Sequence, residues 1–182
     1  MEISFLPDSR RIRLTVEMPD PDRFLTSQVP HLPKMLFHLF PHLAHHKCEN
    51  EHGYSFRREC RATEIPHLFE HLIIELQAKA QPADLLRGET QWNWRVDPRG
   101  RFYVYVDYEN ELLAVGAIRL AERILNAVDK RDLEELNTEV ELARLREIAR
   151  MGRELVGDLP DRASGENSPA WAAVVLAAPD AV

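Results

Sequence analysis

The stretch from Thr63 to Gln77, TEIPHLFEHLIIELQ, constrains this chain more than any other part of it. Leu68, Phe69, Leu72, Ile73 and Leu76 recur at the spacing of one buried helical stripe, Thr63 stands where a cap would, and Pro66 fits a first helical turn. The pattern predicts a core helix whose Leu68, Leu72 and Leu76 side is buried. Polar residues on such a helix sit on a rigid rod, so their mutual placement follows from its period of roughly 3.6 residues per turn.

Within this helix His67, Glu70 and His71 spell H-x-x-E-H, the zincin motif in reverse order. The four-residue step puts both imidazoles on one face, one turn apart. Neutral imidazoles bind zinc while leaving a coordination position open, and a nearby carboxylate can take a proton from a polarised water. His67 and His71 are therefore expected as metal ligands and Glu70 as the general base. Two donors leave a zinc site incomplete. Glu75 is the nearest third donor, and Glu111 or Glu109 could serve instead. Eight residues rise about 12 Å and turn the face by about 80°, so His67 and Glu75 would both have to reach inward toward His71. The competing reading is a plain core helix with hydrogen-bonded histidines, because eight His in 182 residues produce chance pairs at this spacing.

A chain of this length with 45% hydrophobic residues can bury one sizeable core. Its 23 Lys and Arg against 30 Asp and Glu give a net charge of −7 with no long basic patch, which argues against a nucleic-acid partner. Cys48 and Cys60 form neither a disulfide framework nor a C-x-x-C pair, pointing to a reducing compartment. No apolar run is long enough for a membrane span, so a cytoplasmic location is expected.

Taken in order, Arg10 to Glu17 alternates Ile12, Leu14 and Val16 with polar neighbours and predicts the first strand. Leu32, Met35, Leu36 and Leu39 predict a helix from about Pro33 to Phe40, closed by Pro41. His42, His45, His46 and Cys48 match no closed zinc framework and are expected to form a polar loop. Gly53 to Cys60 is expected as a strand. Thr90 to Val96 and Arg101 to Tyr108 are expected as an antiparallel hairpin closed by the D-P-R-G turn at Asp97 to Gly100, with Trp92, Trp94, Phe102, Tyr103 and Tyr105 adding aromatic core surface. Glu111 to Val128 predicts a long amphipathic helix, and about Arg131 to Leu155 another, dense in Glu and Arg, that could pack on the core or on a second copy. From Asp158 onward a loose tail is expected, with one apolar patch from Trp171 to Ala178. The fold class is α+β, a small mixed or antiparallel sheet covered by helices.

The run from Val29 to Gln77 resembles the N-terminal domain of cyanophycin synthetase. A Leu-rich helix, a His-x-Cys step at His46 and Cys48, and then His67, Glu70, His71, Glu75, Leu76 and Gln77 come in that family's order, and FYVYVDYENE is similar to its aromatic strand, here ending in Tyr108 and Glu111. The resemblance covers about Val29 to Val128, more weakly to Ile148. It divides the chain into an N-domain-like unit at 1–128, a charged helical extension at 129–157 and a tail at 158–182. Two departures stand out: Pro66 replaces the family's usual Gly, and its G-[KR]-T-R segment appears as Gly88, Glu89, Thr90 and Gln91.

In that family the domain precedes an ATP-grasp ligase and a Mur-ligase-like domain that build a polymer of aspartate bearing arginine on each side chain. Neither is recognisable here, so ligase activity is not expected. The resemblance implies a domain that holds this polymer, and in some members trims it through a metallopeptidase-like H-x-x-E-H-x-x-x-E helix. The expectation is a zinc-dependent hydrolase of peptide or isopeptide bonds in a cyanophycin-like polymer, with His67, His71 and Glu75 on the metal and Glu70 as base. The alternative is a polymer- or protein-binding module without chemistry.

Overall fold

The computed structural model describes residues 1–7, 9–48, 53–82, 85–134 and 136–157. Strands β1 (Glu2–Phe5), β2 (Arg11–Glu17), β3 (Gly88–Gln91) and β4 (Arg101–Asp107) form a four-stranded sheet in the order β1-β2-β4-β3, antiparallel throughout. The helices are α1 (His31–Leu39), α2 (Phe56–Glu59), α3 (Ile65–Ala80), α4 (Glu111–Lys130) and α5 (Thr138–Gly157). This is the expected α+β class with a long C-terminal helix.

The alternation in β2 and β4 decides which face of the sheet is covered. Ile12, Leu14, Phe102, Val104 and Val106 are buried, and the register sets Leu14 opposite Val104 and Ile12 opposite Val106. Their neighbours Arg11, Arg13, Tyr103 and Tyr105 turn outward, with the guanidinium of Arg11 5.6 Å from the centre of the Tyr105 ring. Helix α3 lies on the inner face against β3 and β4, α4 packs along α3, and α1 and α5 pack against α4. Leu68, Leu72, Ile73 and Leu76 have no exposed surface, which makes α3 the centre of the core, as its stripe predicts.

Local chemistry sets the ends of these helices. Asn110 caps α4 by accepting from the Leu113 amide at 3.0 Å, and the helix closes on Arg131 in the left-handed region at φ 57°. Pro66 sits in the first turn of α3, but Glu64 is the residue at the cap position, without a side-chain cap bond. The Thr63 amide donates to the Thr26 hydroxyl at 3.0 Å, and the Thr63 hydroxyl is directed to His67 and Glu64, so Thr63 is not the cap its place in the sequence suggests.

Four further expectations are corrected. The first strand is β1, not β2. The segment Gly53 to Cys60 is not a strand: Ser55 opens the short helix α2, and its one fully buried residue, Phe56, is held by packing rather than by a partner strand. The hairpin of β3 and β4 exists, but its strands part after Gln91, so Asp97 to Gly100 is only the end of a longer connection. Residues 92–96 leave the sheet because Trp94 packs on Phe24 and Phe102, with ring centres at 5.3 Å and 5.4 Å, and its indole N–H donates to the Arg101 carbonyl at 3.0 Å. The last helix starts at Thr138 rather than Arg131. The tail from Asp158, with the patch at Trp171 to Ala178, lies outside the described residues. None of the described helices is long and apolar enough to cross a membrane.

Candidate metal centre

Helix α3 carries four almost fully buried polar side chains besides its apolar stripe: Gln77, whose amide donates to the Asp107 carbonyl at 3.2 Å, and the three at the site, Glu70 at 3%, His71 at 5% and Glu75 at 4% exposure. Buried polar groups need partners, and here most come from the segment after α1. Pro41 ends α1 and begins a tight turn, Pro41–His45, which plants Leu43 in the core and sends His46 to Cys48 across α3.

Cys48, His67 and His71 each bring one donor atom to a common point, all within 4.8 Å of one another. Cys48 Sγ lies 3.4 Å from His67 Nε2. The other nitrogen of His67, Nδ1, is 2.8 Å from Thr63 Oγ1, and that hydroxyl lies 3.4 Å from a Glu64 carboxylate oxygen to which it can donate. Thr63 thus accepts from His67 Nδ1–H, and Nε2 is left as a lone pair facing the thiol. His71 Nδ1 lies 3.1 Å from His46 Nδ1, and His46 Nε2 lies 2.8 Å from Glu75 Oε2. The face of His71 is stacked on Phe56 with ring centres 3.7 Å apart, which is what the short α2 helix supplies to the site.

Burial suits these imidazoles to metal rather than to protons. Desolvation lowers His67 to about 4, and it lowers His71 further with help from the neighbouring His67 and His46. Both rings are neutral at physiological pH, the form that ligates. For Glu75 burial pushes the carboxyl up, but the His46 hydrogen bond, followed by Lys79 at 3.3 Å, outweighs it and holds the group below its ordinary value.

Glu70 faces a different neighbour. Its Oε2 accepts from Thr90 Oγ1 at 2.7 Å, beneath the edge strand β3, and its charged neighbours are Arg11 and Glu89. Burial is the largest influence and raises its carboxyl to about 7. The strand comes down onto this carboxyl because residue 88 has no side chain: a Cβ there would meet Glu70 Oε1 at 2.4 Å.

The structure therefore gathers His67 and His71 with Cys48, links Glu75 to the group through His46, and sets Glu70 against β3. Glu109, which can accept from Gln81 at 3.5 Å, and Glu111, which can accept from Tyr108 at 3.4 Å, lie where α3 ends and α4 begins. Cys48 and His46 are the residues that motif reasoning assigned to a polar loop. Their signal was the His-x-Cys step itself, too short to match a zinc framework because its partners come from a helix nineteen residues further on. A thiolate and two neutral imidazoles are borderline-soft donors of the kind zinc takes, and three protein donors leave its fourth position open. On this chemistry the residues fit a zinc-class ion.

Residues 11–130 match the family model described as the cyanophycin synthase-like N-terminal domain. The match runs from β2 through α4 and includes every residue of the site. No curated protein matches the chain.

Proposed function

The chain belongs to the cyanophycin synthase-like N-terminal domain family, and from that premise we propose that it is a zinc-dependent hydrolase of peptide or isopeptide bonds in a cyanophycin-like polymer. The observation that carries this reading is the convergence of Cys48, His67 and His71 donor atoms within 4.8 Å on a buried helix. A zinc ion held there would supply Lewis-acid polarisation of a water or a carbonyl oxygen. The chain's own residues do the rest. Cys48, His67 and His71 hold the ion, Thr63 orients His67, and Phe56 excludes water from one face of His71. Glu70 takes a proton from the attacking water and returns it to the leaving amine. A carboxyl raised to about 7 is suited to both transfers near neutral pH.

The test is a paired assay of bound zinc and of polymer cleavage. The parent protein is expected to retain stoichiometric zinc and to release β-linked Asp-Arg units. Glu70→Gln should keep the zinc and lose cleavage by about 10²- to 10⁴-fold, and Cys48→Ala should lose both. A parent protein that cleaves no such polymer across a panel of divalent metals overturns the hydrolase. The second reading is then favoured by the outer face of the sheet, where Arg13, Gln91, Trp92, Arg101, Tyr103 and Tyr105 line an open polar groove of about 520 Å³ that could hold a charged polymer without chemistry.

A further inference from the structure

Glu75 Oε2 faces His46 Nε2 at 2.8 Å, and its buried Oε1, without a hydrogen-bond partner, is paired by charge with the Lys79 ammonium at 3.3 Å. A carboxylate so placed can only accept, so His46 Nε2 must carry a proton. The next link follows from counting protons. His46 Nδ1 and His71 Nδ1 are 3.1 Å apart, and a nitrogen pair at that distance shares one proton, owned by one side. Because His71 Nδ1 faces His46, Nε2 is the nitrogen left for an ion, and a neutral ring that ligates through Nε2 carries its proton on Nδ1, with His46 Nδ1 accepting it.

We infer that Glu75 is a positioning residue that acts through His46, fixing His71 as its Nδ1–H tautomer, and that it is not itself a metal ligand. The chain Glu75, His46, His71 then repeats what Thr63 does for His67. In each case the Nδ1–H is held by an acceptor of the protein, and Nε2 remains as the bare nitrogen. An outer partner of this kind fixes ring orientation and raises ligand basicity, and its loss commonly costs 10- to 100-fold in metal affinity. It also accounts for the shape of the site, because Glu75 need not reach back along α3 toward His67.

This inference rests on the reading of Cys48, His67 and His71 as donors, and its test separates the two. Long-range ¹⁵N–¹H correlation spectra of the chelator-treated parent protein report which ring nitrogens carry protons. The expected result is His71 protonated at Nδ1 and bare at Nε2, with His46 protonated at Nε2. In Glu75→Leu and His46→Leu that preference should be lost, whereas Glu75→Gln, whose amide oxygen still accepts from His46, should restore it. In cobalt-loaded protein, Glu75→Leu should bind 10- to 100-fold more weakly with an unchanged visible spectrum, since the donors are unchanged. His71 protonated at Nε2 in the parent, or a cobalt spectrum altered by Glu75→Leu, overturns the inference. A parent that shows the expected tautomers but takes up neither cobalt nor zinc leaves the relay standing and overturns the hydrolase.

Discussion

At the scale of single residues, the pairing of Glu70 with Gly88 is the most exposed to test. Methyl substitution at residue 88 brings a carbon to 2.4 Å from the Glu70 carboxyl, so the strand or the side chain must move. Gly88→Ala is expected to lower stability by about 1–3 kcal/mol, read from urea midpoints, and to return the Glu70 pKa toward its ordinary value in carboxyl NMR titrations. A second expectation concerns pH. In metal-free protein Glu70 titrates at about 7 rather than 4.5, so between those values the folded chain keeps a proton that the unfolded chain releases. Its contribution to stability therefore falls as pH rises through that window, by on the order of 3 kcal/mol at most. His67, lowered from 6.5 to about 4, works in the opposite sense, losing stability as pH falls through that range. Glu70→Gln should remove the first effect and leave the second, so its stability relative to the parent should rise with pH between about 4.5 and 7. A flat difference across that range would mean that Glu70 is not buried as described. At this scale the sequence disclosed the helical members of the site, because H-x-x-E-H fixes two imidazoles on one face. Cys48 and His46 were hidden because the path of a loop after Pro41 depends on where Leu43 finds its place in the core, which no local spacing encodes.

At the scale of elements, what was legible was whatever a repeating period encodes. The stripe of α3, the alternation of β2 and β4, and the amphipathic run of α4 all appear near their expected bounds. Segments whose structure depends on distant packing did not follow their local pattern. Gly53 to Cys60 alternates like a strand, yet it lies against α3 with Phe56 on His71. Trp92 and Trp94 read as strand residues, yet their rings pack with Phe102 outside the ladder. The α4 cap links two elements, because Asn110 accepts from Leu113 at 3.0 Å and donates to the Ala149 carbonyl of α5 at 3.2 Å. Asn110→Ala removes both bonds and is expected to cost about 1–2 kcal/mol. Gly152 stands against the same side chain, where a Cβ would come within 2.3 Å of its amide nitrogen. Gly152→Ala should therefore destabilise despite the better helix propensity of alanine, and thermal melts of the two variants would show whether the contact matters.

At the scale of the whole molecule, one layer of helices covers one face of the sheet, and α5 closes the far side of α4. Leu145 and Ala149 are 3% and 0% exposed, and Leu145 lies over Gly116, where even a methyl would be crowded. If α5 is part of the same cooperative unit, Leu145→Ala should cost about 2–4 kcal/mol and leave a single unfolding transition by fluorescence and circular dichroism alike. Two separated transitions would instead mark the charged helix as an independent appendage. The candidate centre has its own asymmetry at this scale. His67 and His71 ride on the most deeply packed helix, while Cys48 and His46 arrive on irregular chain that ends a tight turn. Amides in α3 should exchange with solvent only when the entire chain opens, and those of the His46 to Cys48 segment through far smaller excursions. An ion seated between them would then enter and leave through the loop, at a rate set by local opening and insensitive to substitutions that alter global stability.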